Sequence, residues 1–280
     1  MKTAFFALLV REMKKWYRTP VFFIVSMAQP IIWVVLFGSA FDITRLFGNL
    51  PPQAIAAIMN TEFMGAKNYI SFLSGGIMTV TILFASMVSG MSLIWDRRFG
   101  YLAKLMVSPI RRETVFMTKV FSSIIKGIVQ ASIIFVVVII MPSGLILGSG
   151  FGIVDLLTIY FVLFLCALIF SSLFVMIAVR TTKWETAMGI ANFLNLPLMF
   201  ASTALFPSSA MPGWLKFIAV RNPISYAANT LRILTIKGSL SGALINTVML
   251  NIAYLSAYAV IALVAGFIIS YFTLTDTSYS

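Results

Sequence analysis

The chain is expected to be an all-α polytopic membrane protein, and three observations carry that expectation. Its 280 residues are 60% hydrophobic and only 10% charged, whereas a soluble domain carries about 25% charged residues to coat its core. Mean hydropathy is +1.01. The apolar residues also gather into runs close to the ~20 needed to cross a ~30 Å hydrocarbon layer. That rule predicts six spans, at 21–41, 69–95, 120–141, 154–179, 187–206 and 247–272.

Residues 1–20 come first. Leu9, Met13 and Trp16 fall at i, i+4 and i+7, with Phe5 and Phe6 one turn earlier, while Arg11, Lys14, Lys15 and Arg18 fall largely elsewhere around the helix. This pattern predicts an amphipathic helix lying in the headgroup plane. A plain charged flank is the simpler alternative. Thr19-Pro20 ends the segment and starts the next helix, since proline is tolerated in a first turn. Gly38-Ser39-Ala40 faintly resembles a signal-peptide cleavage site. The preceding apolar run is longer than an h-region and follows a charged amphipathic segment, so it reads as a retained first span. Gln29-Pro30 is expected to bend it by removing a backbone donor.

Residues 42–68 are polar and proline-containing, and are expected to form an exposed extracytoplasmic loop. In the second span, Ser86 and Gly90 make a small-xxx-small pair that predicts close helix packing. The segment 96–119 is the most basic in the chain, with six Lys/Arg against Asp96 and Glu113. Phe99, Leu102, Leu105 and Met106 recur at helical spacing until Ser108-Pro109 breaks the pattern. A short amphipathic helix between two spans suggests a docking surface.

The fifth span carries Asn192, Asn195 and Pro197. Asparagines three residues apart in lipid need partners, either on another helix or along a wet path. Residues 207–238 are too apolar for a free loop and too interrupted for a span. Two short helical pieces separated by Asn222-Pro223 predict a re-entrant outer hairpin, with helices lying on the outer surface as the alternative.

Charge sets the expected orientation. Thirteen Lys/Arg fall in the N-terminal segment, the central loop and the 180–186 turn, against six in the opposite loops. The excess marks the cytoplasmic side, and six spans then put both termini inside. Lys126, near the start of the third span, is expected to snorkel back to that side.

Composition also excludes chemistry. One cysteine and no histidine rule out a disulfide within the chain and argue against a thiolate or imidazole metal site. The net charge of +12 sits mostly at span ends, where anionic membrane lipids explain it better than nucleic acid. No G-x-x-x-x-G-K-[ST] loop is present to cradle ATP. No acidic residue sits at the centre of a span, which argues against an ion-coupled carrier. Active transport would draw its energy from another polypeptide, and no residue is nominated as catalytic or metal-binding.

The stretch Trp95-Asp96-Arg97-Arg98-Phe99-Gly100-Tyr101-Leu102, with Leu105-Met106-Val107-Ser108-Pro109-Ile110, resembles the cytoplasmic loop of ABC-2-type exporter permeases. The drug-resistance branch, which includes the daunorubicin exporter permease, looks closest. Met211-Pro212-Gly213-Trp214-Leu215 and Arg221-Asn222-Pro223-Ile224-Ser225-Tyr226, then Leu231-Arg232, resemble that family's second signature. The resemblance covers nearly the whole chain, as one transmembrane domain over 1–280. Relatives often carry an acidic residue where this chain has Arg98.

The resemblance implies a permease that dimerises and binds two ATP-hydrolysing subunits in trans, with ATP and Mg held by those subunits and no cofactor by this chain. Asp96, Arg97, Arg98, Phe99, Gly100, Leu102, Lys104, Leu105 and Pro109 are the expected coupling segment. Gln29, Asn192, Asn195, Met199 and Phe200 are expected along the substrate path. Trp214, Asn222, Pro223, Tyr226 and Arg232 are expected in the outer hairpin over its exit. The implied activity is export of a hydrophobic or amphipathic, drug- or lipid-like compound across a prokaryotic inner membrane. An ATP-independent channel or carrier, or a lipid-processing assembly protein, are the readings from other classes.

Overall fold

The computed structural model describes residues 2–40, 51–108, 110–141, 144–238 and 243–276. Its helices are α1 (Lys2–Tyr17), α2 (Pro20–Ala40), α3 (Pro52–Glu62), α4 (Tyr69–Arg98), α5 (Tyr101–Met106), α6 (Arg112–Ile140), α7 (Ile153–Arg180) and α8 (Trp184–Phe200). A 3-10 turn (Ser208–Ala210), α9 (Gly213–Ala219), α10 (Pro223–Arg232), a π turn (Ile233–Lys237) and α11 (Ala243–Asp276) complete the order.

α4 is the axle of the bundle. It is buried along almost its whole length and packs against α2, α6, α7, α8 and α10. Its N-terminus is capped by Asn68, whose side chain accepts from the Ser71 amide at 2.8 Å, the usual way to satisfy an orphan donor there. Small residues explain the tight packing. A Cβ on Gly90 would lie 2.8 Å from Phe174 Cβ on α7. One turn earlier, Ser86 Oγ lies 3.2 Å from Ser171 Oγ, which donates to Ser123 Oγ at 2.7 Å. These hydroxyls tie α4, α7 and α6 together where no water is available to them. α11 packs on α7, α10 and α6 and leaves most of its apolar surface outward, as a lipid-facing helix does.

The span count differs from expectation. Among the described residues, four helices are long and apolar enough to cross a membrane, not six: Tyr69–Arg98, Arg112–Ile140, Ile153–Arg180 and Leu244–Thr273. The chain is a multi-pass integral membrane protein on that count. Of the other two expected spans, the one at 187–206 falls short on length. α8 has 17 residues, about 26 Å at 1.5 Å per residue. α2 runs as one helix through Pro30, and its described residues count only as a shorter apolar helix, Ser26–Gly38.

Nor is a re-entrant hairpin indicated at 207–238. α9 and α10 are helices of 7 and 10 residues, and α10 packs along α4, α7 and α11 while α9 stays against the 3-10 turn. Asn222-Pro223 is an N-cap rather than a hairpin tip. Asn222 Oδ1 accepts from the Ile224 amide at 3.0 Å, and its Nδ2 donates at 2.8 Å to the carbonyls of Leu198 and Ala201, with Pro223 in the favoured first position. Arg232 then draws α10 inward. Fully buried, it donates to Phe72 O and Ala204 O at 2.7 Å each and to Asn229 Oδ1 at 3.1 Å. The expected loop 42–68 contains α3, and its residues 42–50 lie outside the described ones.

Candidate functional site

The basic residues gather at one end of the bundle. That end holds α1, the last turn of α4, α5, the start of α6, and the α7–α8 connection, and the later part of α11 reaches it where Gly266 lies against Phe116 and Ser172. α5 leaves α4 through Gly100 at φ +69°, a left-handed conformation that costs a side-chain-bearing residue ~1–2 kcal/mol. Six residues of helix follow, anchored by the buried Leu102.

The root of α5 is held by an ionic cluster. Asp96 accepts from Arg11 at 3.1 Å, from Lys15 at 3.4 Å and from Lys119. Lys119 also donates to Glu12 at 2.9 Å and to Ser92 Oγ at 3.1 Å. Lys126 lies 3.8 Å from Glu12 and donates to Ser89 Oγ at 3.4 Å. It is buried rather than snorkelled to the rim, because a carboxylate waits for it inside. Arg11 completes the joint, its guanidinium 3.3 Å from the centroid of the Tyr101 ring. Burial alone would lower the Arg11 pKa, but the hydrogen bond to Asp96 and that carboxylate's charge hold it above its ordinary value. α1, α4, α5 and α6 therefore meet in one electrostatic knot.

A second joint reaches α7 and α8. Arg97 donates at 2.7 Å to Thr181 O and at 2.8 Å to Val179 O, neutralising the carbonyl end of α7 where a cation is favoured. Trp95 packs on Trp184 with centroids 4.8 Å apart and stacks on Phe99 at 5.7 Å. Arg97→Met should lower the melting temperature of the purified chain, costing about 1.5–3 kcal/mol for two charged hydrogen bonds. Scanning fluorimetry on tryptophan emission checks this, and an unchanged midpoint would mean the cap contributes nothing.

The nominated coupling residues divide by direction. Asp96, Arg97 and Leu102 turn into the protein, Gly100 makes the turn, and Leu105 is half-buried. Arg98, Phe99 and Lys104 are exposed, as is Val107. Pro109 lies outside the described residues. Glu12, Lys119 and Lys126 were not nominated from sequence. Two signals pointed to them: Glu12 is the one acid in a basic segment, and Lys119 and Lys126 are seven residues apart on one face of an apolar helix.

The nominated path residues also split. On α8, Asn195 and Met199 are buried, whereas Asn192 and Phe200 are exposed; Gln29 on α2 is exposed too. Trp33 links the two helices, its ring 6.1 Å from that of Phe200. At the other end of the bundle Trp214 is exposed, Pro223 is half-buried, Tyr226 stacks on Tyr254 at 5.0 Å, and Asn222 and Arg232 are buried. Among the described residues no cluster of three His, Cys, Asp or Glu side chains could hold a metal ion.

The model of the ABC-2 type transporter family matches residues 3–236. The chain belongs to that family. ABC-2 permeases are non-catalytic membrane subunits that pair with an ABC ATPase subunit in a transporter complex. Among its relatives is ycf38 of Cyanophora paradoxa, named as a transport permease, 31% identical over 82% of this chain and 73% of that one. The doxorubicin resistance ABC transporter permease of Mycobacterium tuberculosis is 22% identical over 79% and 73%. The daunorubicin resistance permease of Streptomyces coeruleorubidus is 24% identical over 80% and 72%. The expected affinity to the drug-resistance branch is thus corrected, since this ABC-2 permease matches ycf38 at higher identity than it matches those proteins.

Proposed function

We propose that this chain is the membrane subunit of an ATP-driven exporter for a hydrophobic or amphipathic, drug- or lipid-like compound. It works as a homodimer with two ATPase copies, as one transmembrane domain over 1–280, in a prokaryotic cytoplasmic membrane. The basic end and both termini face the cytoplasm, a reading supported by the Lys/Arg excess there. The drug-resistance names of two relatives support the cargo class.

One observation carries the coupling role. α5 and its flanks present Arg98, Phe99, Lys104 and Val107 outward, while the root of α5 is bonded to α1 and α6 through the buried Asp96 and to the end of α7 through Arg97. A push on α5 cannot be absorbed locally, because separating those buried charges is costly. Movement of the ATPase pair therefore becomes movement of α4 and α6 together. The path runs along the dimer axis past α2 and α8, where Gln29, Asn192 and Phe200 are available to cargo and Asn195 and Met199 shape the wall from behind.

Co-purification with the ATPase subunit tests this reading. Lys104→Glu with Val107→Asp should abolish assembly while leaving the melting temperature of the permease unchanged, since both side chains point to solvent. Gly100→Pro should uncouple ATP hydrolysis from transport, because proline cannot adopt the positive φ there. Intact assembly and transport-stimulated hydrolysis in these variants would sink the assignment.

A further inference from the structure

A cavity of about 390 Å³ lies beside the ionic knot, between α1, α2, α4, α6 and the first turn of α8. That volume falls in the ~300–1,000 Å³ range of small-molecule sites. Its lining includes the aromatic rings of Trp16, Trp95, Phe99 and Trp184. Glu12, Lys15, Lys126 and Gln130 line it as well.

Two buried acceptors on these lining residues lack a donor. Glu12 and Gln130 are 2% and 3% exposed, and neither Glu12 Oε2 nor Gln130 Oε1 has a hydrogen-bond partner. Orphaned buried acceptors are uncommon and point to a missing donor. Lys126 is incompletely used as well, with one long hydrogen bond to Ser89 and Glu12 beyond hydrogen-bond distance. In the ionic cluster beside the cavity, Arg11, Lys15, Lys119 and Lys126 stand against Glu12 and Asp96. A cationic amphipath would find tryptophan faces but would meet that excess positive charge. An anionic group carrying hydroxyls fits both demands: its charge complements Lys126 and Lys15, and its hydroxyls donate to Glu12 and Gln130.

We propose that the cavity binds one amphipathic molecule with a phosphate headgroup that bears hydroxyls, its apolar tail laid against the tryptophan rings. A phosphatidylglycerol from the adjacent leaflet has this chemistry, and so would a phosphoglycerol-headed cargo. The assignment goes beyond the export reading, and its binding test needs no ATPase.

The full chain is placed in nanodiscs containing phosphatidylglycerol or phosphatidylcholine with brominated acyl chains, and tryptophan quenching is measured. Phosphatidylglycerol should quench at lower mole fraction than phosphatidylcholine, and native mass spectrometry should retain one phosphatidylglycerol per chain. Lys126→Gln should weaken retention about tenfold, as expected for loss of one charge-assisted hydrogen bond. Gln130→Met, which removes the orphan acceptor and keeps the volume, should weaken it less while the melting temperature holds. Equal quenching by the two lipids, with both variants folded and unchanged, would overturn the proposal. Preference for a cationic lipid such as dioleoyl-trimethylammonium-propane would overturn the headgroup assignment. With the ATPase and ATP added, loss of the quenching signal and outward movement of headgroup-labelled phosphatidylglycerol identify the occupant as cargo. Persistent occupancy identifies it as a resident lipid.

Discussion

Asp96→Ala is expected to lower the stability of the permease by about 3–5 kcal/mol, the usual cost of stripping one partner from a buried ion pair. Asp96 is 4% exposed and accepts from Arg11, Lys15 and Lys119. Without it, Lys119 keeps only Glu12 and Ser92 for its ammonium, while Arg11 and Lys15 repel one another across an empty site. Adding Lys119→Met should recover part of the loss, since an apolar pair of similar volume leaves no uncompensated charge. A double-mutant cycle on thermal stability in detergent measures that recovery. Strict additivity would mean that the two side chains do not act as a pair. The single variant should also lose coupling, because α5 would hang from a loosened root.

Gly76→Ala should be as damaging for a different reason. A Cβ at Gly76 would lie 1.8 Å from Ala204 O and 2.6 Å from Ala204 C. Both are backbone atoms, so no side-chain rotation relieves the clash. The same carbonyl accepts from Arg232, and pushing it away leaves a fully buried guanidinium short of a partner. The expected loss is about 3 kcal/mol or more, at the upper end of overpacking. Gly189→Ala is the control. Nothing lies within 4 Å of its Cβ position, so removing a helical glycine there should stabilise by about 0.5–1 kcal/mol. Equal melting temperatures for the two variants would refute the close approach at Gly76.

Much of the fold was legible because lipid imposes strong rules on sequence. Continuous apolar runs marked α4, α6, α7 and α11, and the small residues Ser86 and Gly90 marked where α4 is tightly packed. The run at 187–206 misled, because hydropathy alone does not show where a helix stops: α8 ends at Phe200. The Asn222-Pro223 break was visible, but its meaning was not. A turn and an N-cap use the same residues, and only the carbonyls of Leu198 and Ala201, which approach Asn222 from elsewhere in the chain, make it a cap.

The site was legible in part for a similar reason. Leu102 and Lys104 sit on a short amphipathic helix whose periodicity separates inside from outside within a few residues. Phe99, which the same period groups with Leu102, lies before that helix and is exposed. Asp96 and Arg97 belong to the same basic stretch, yet they turn inward toward partners 80 or more residues distant along the chain.

By itself, then, the amino-acid order determined the solvent this chain lives in, its helical class, and the short basic helix between two long ones. Those properties follow from local composition and period. Only the tertiary structure decided which charges are buried together, which glycine admits a carbonyl, and which residues of the short helix remain free to meet a partner. Each of these depends on atoms far apart in sequence, and the energy of a charge or a close contact is set by what surrounds it in space.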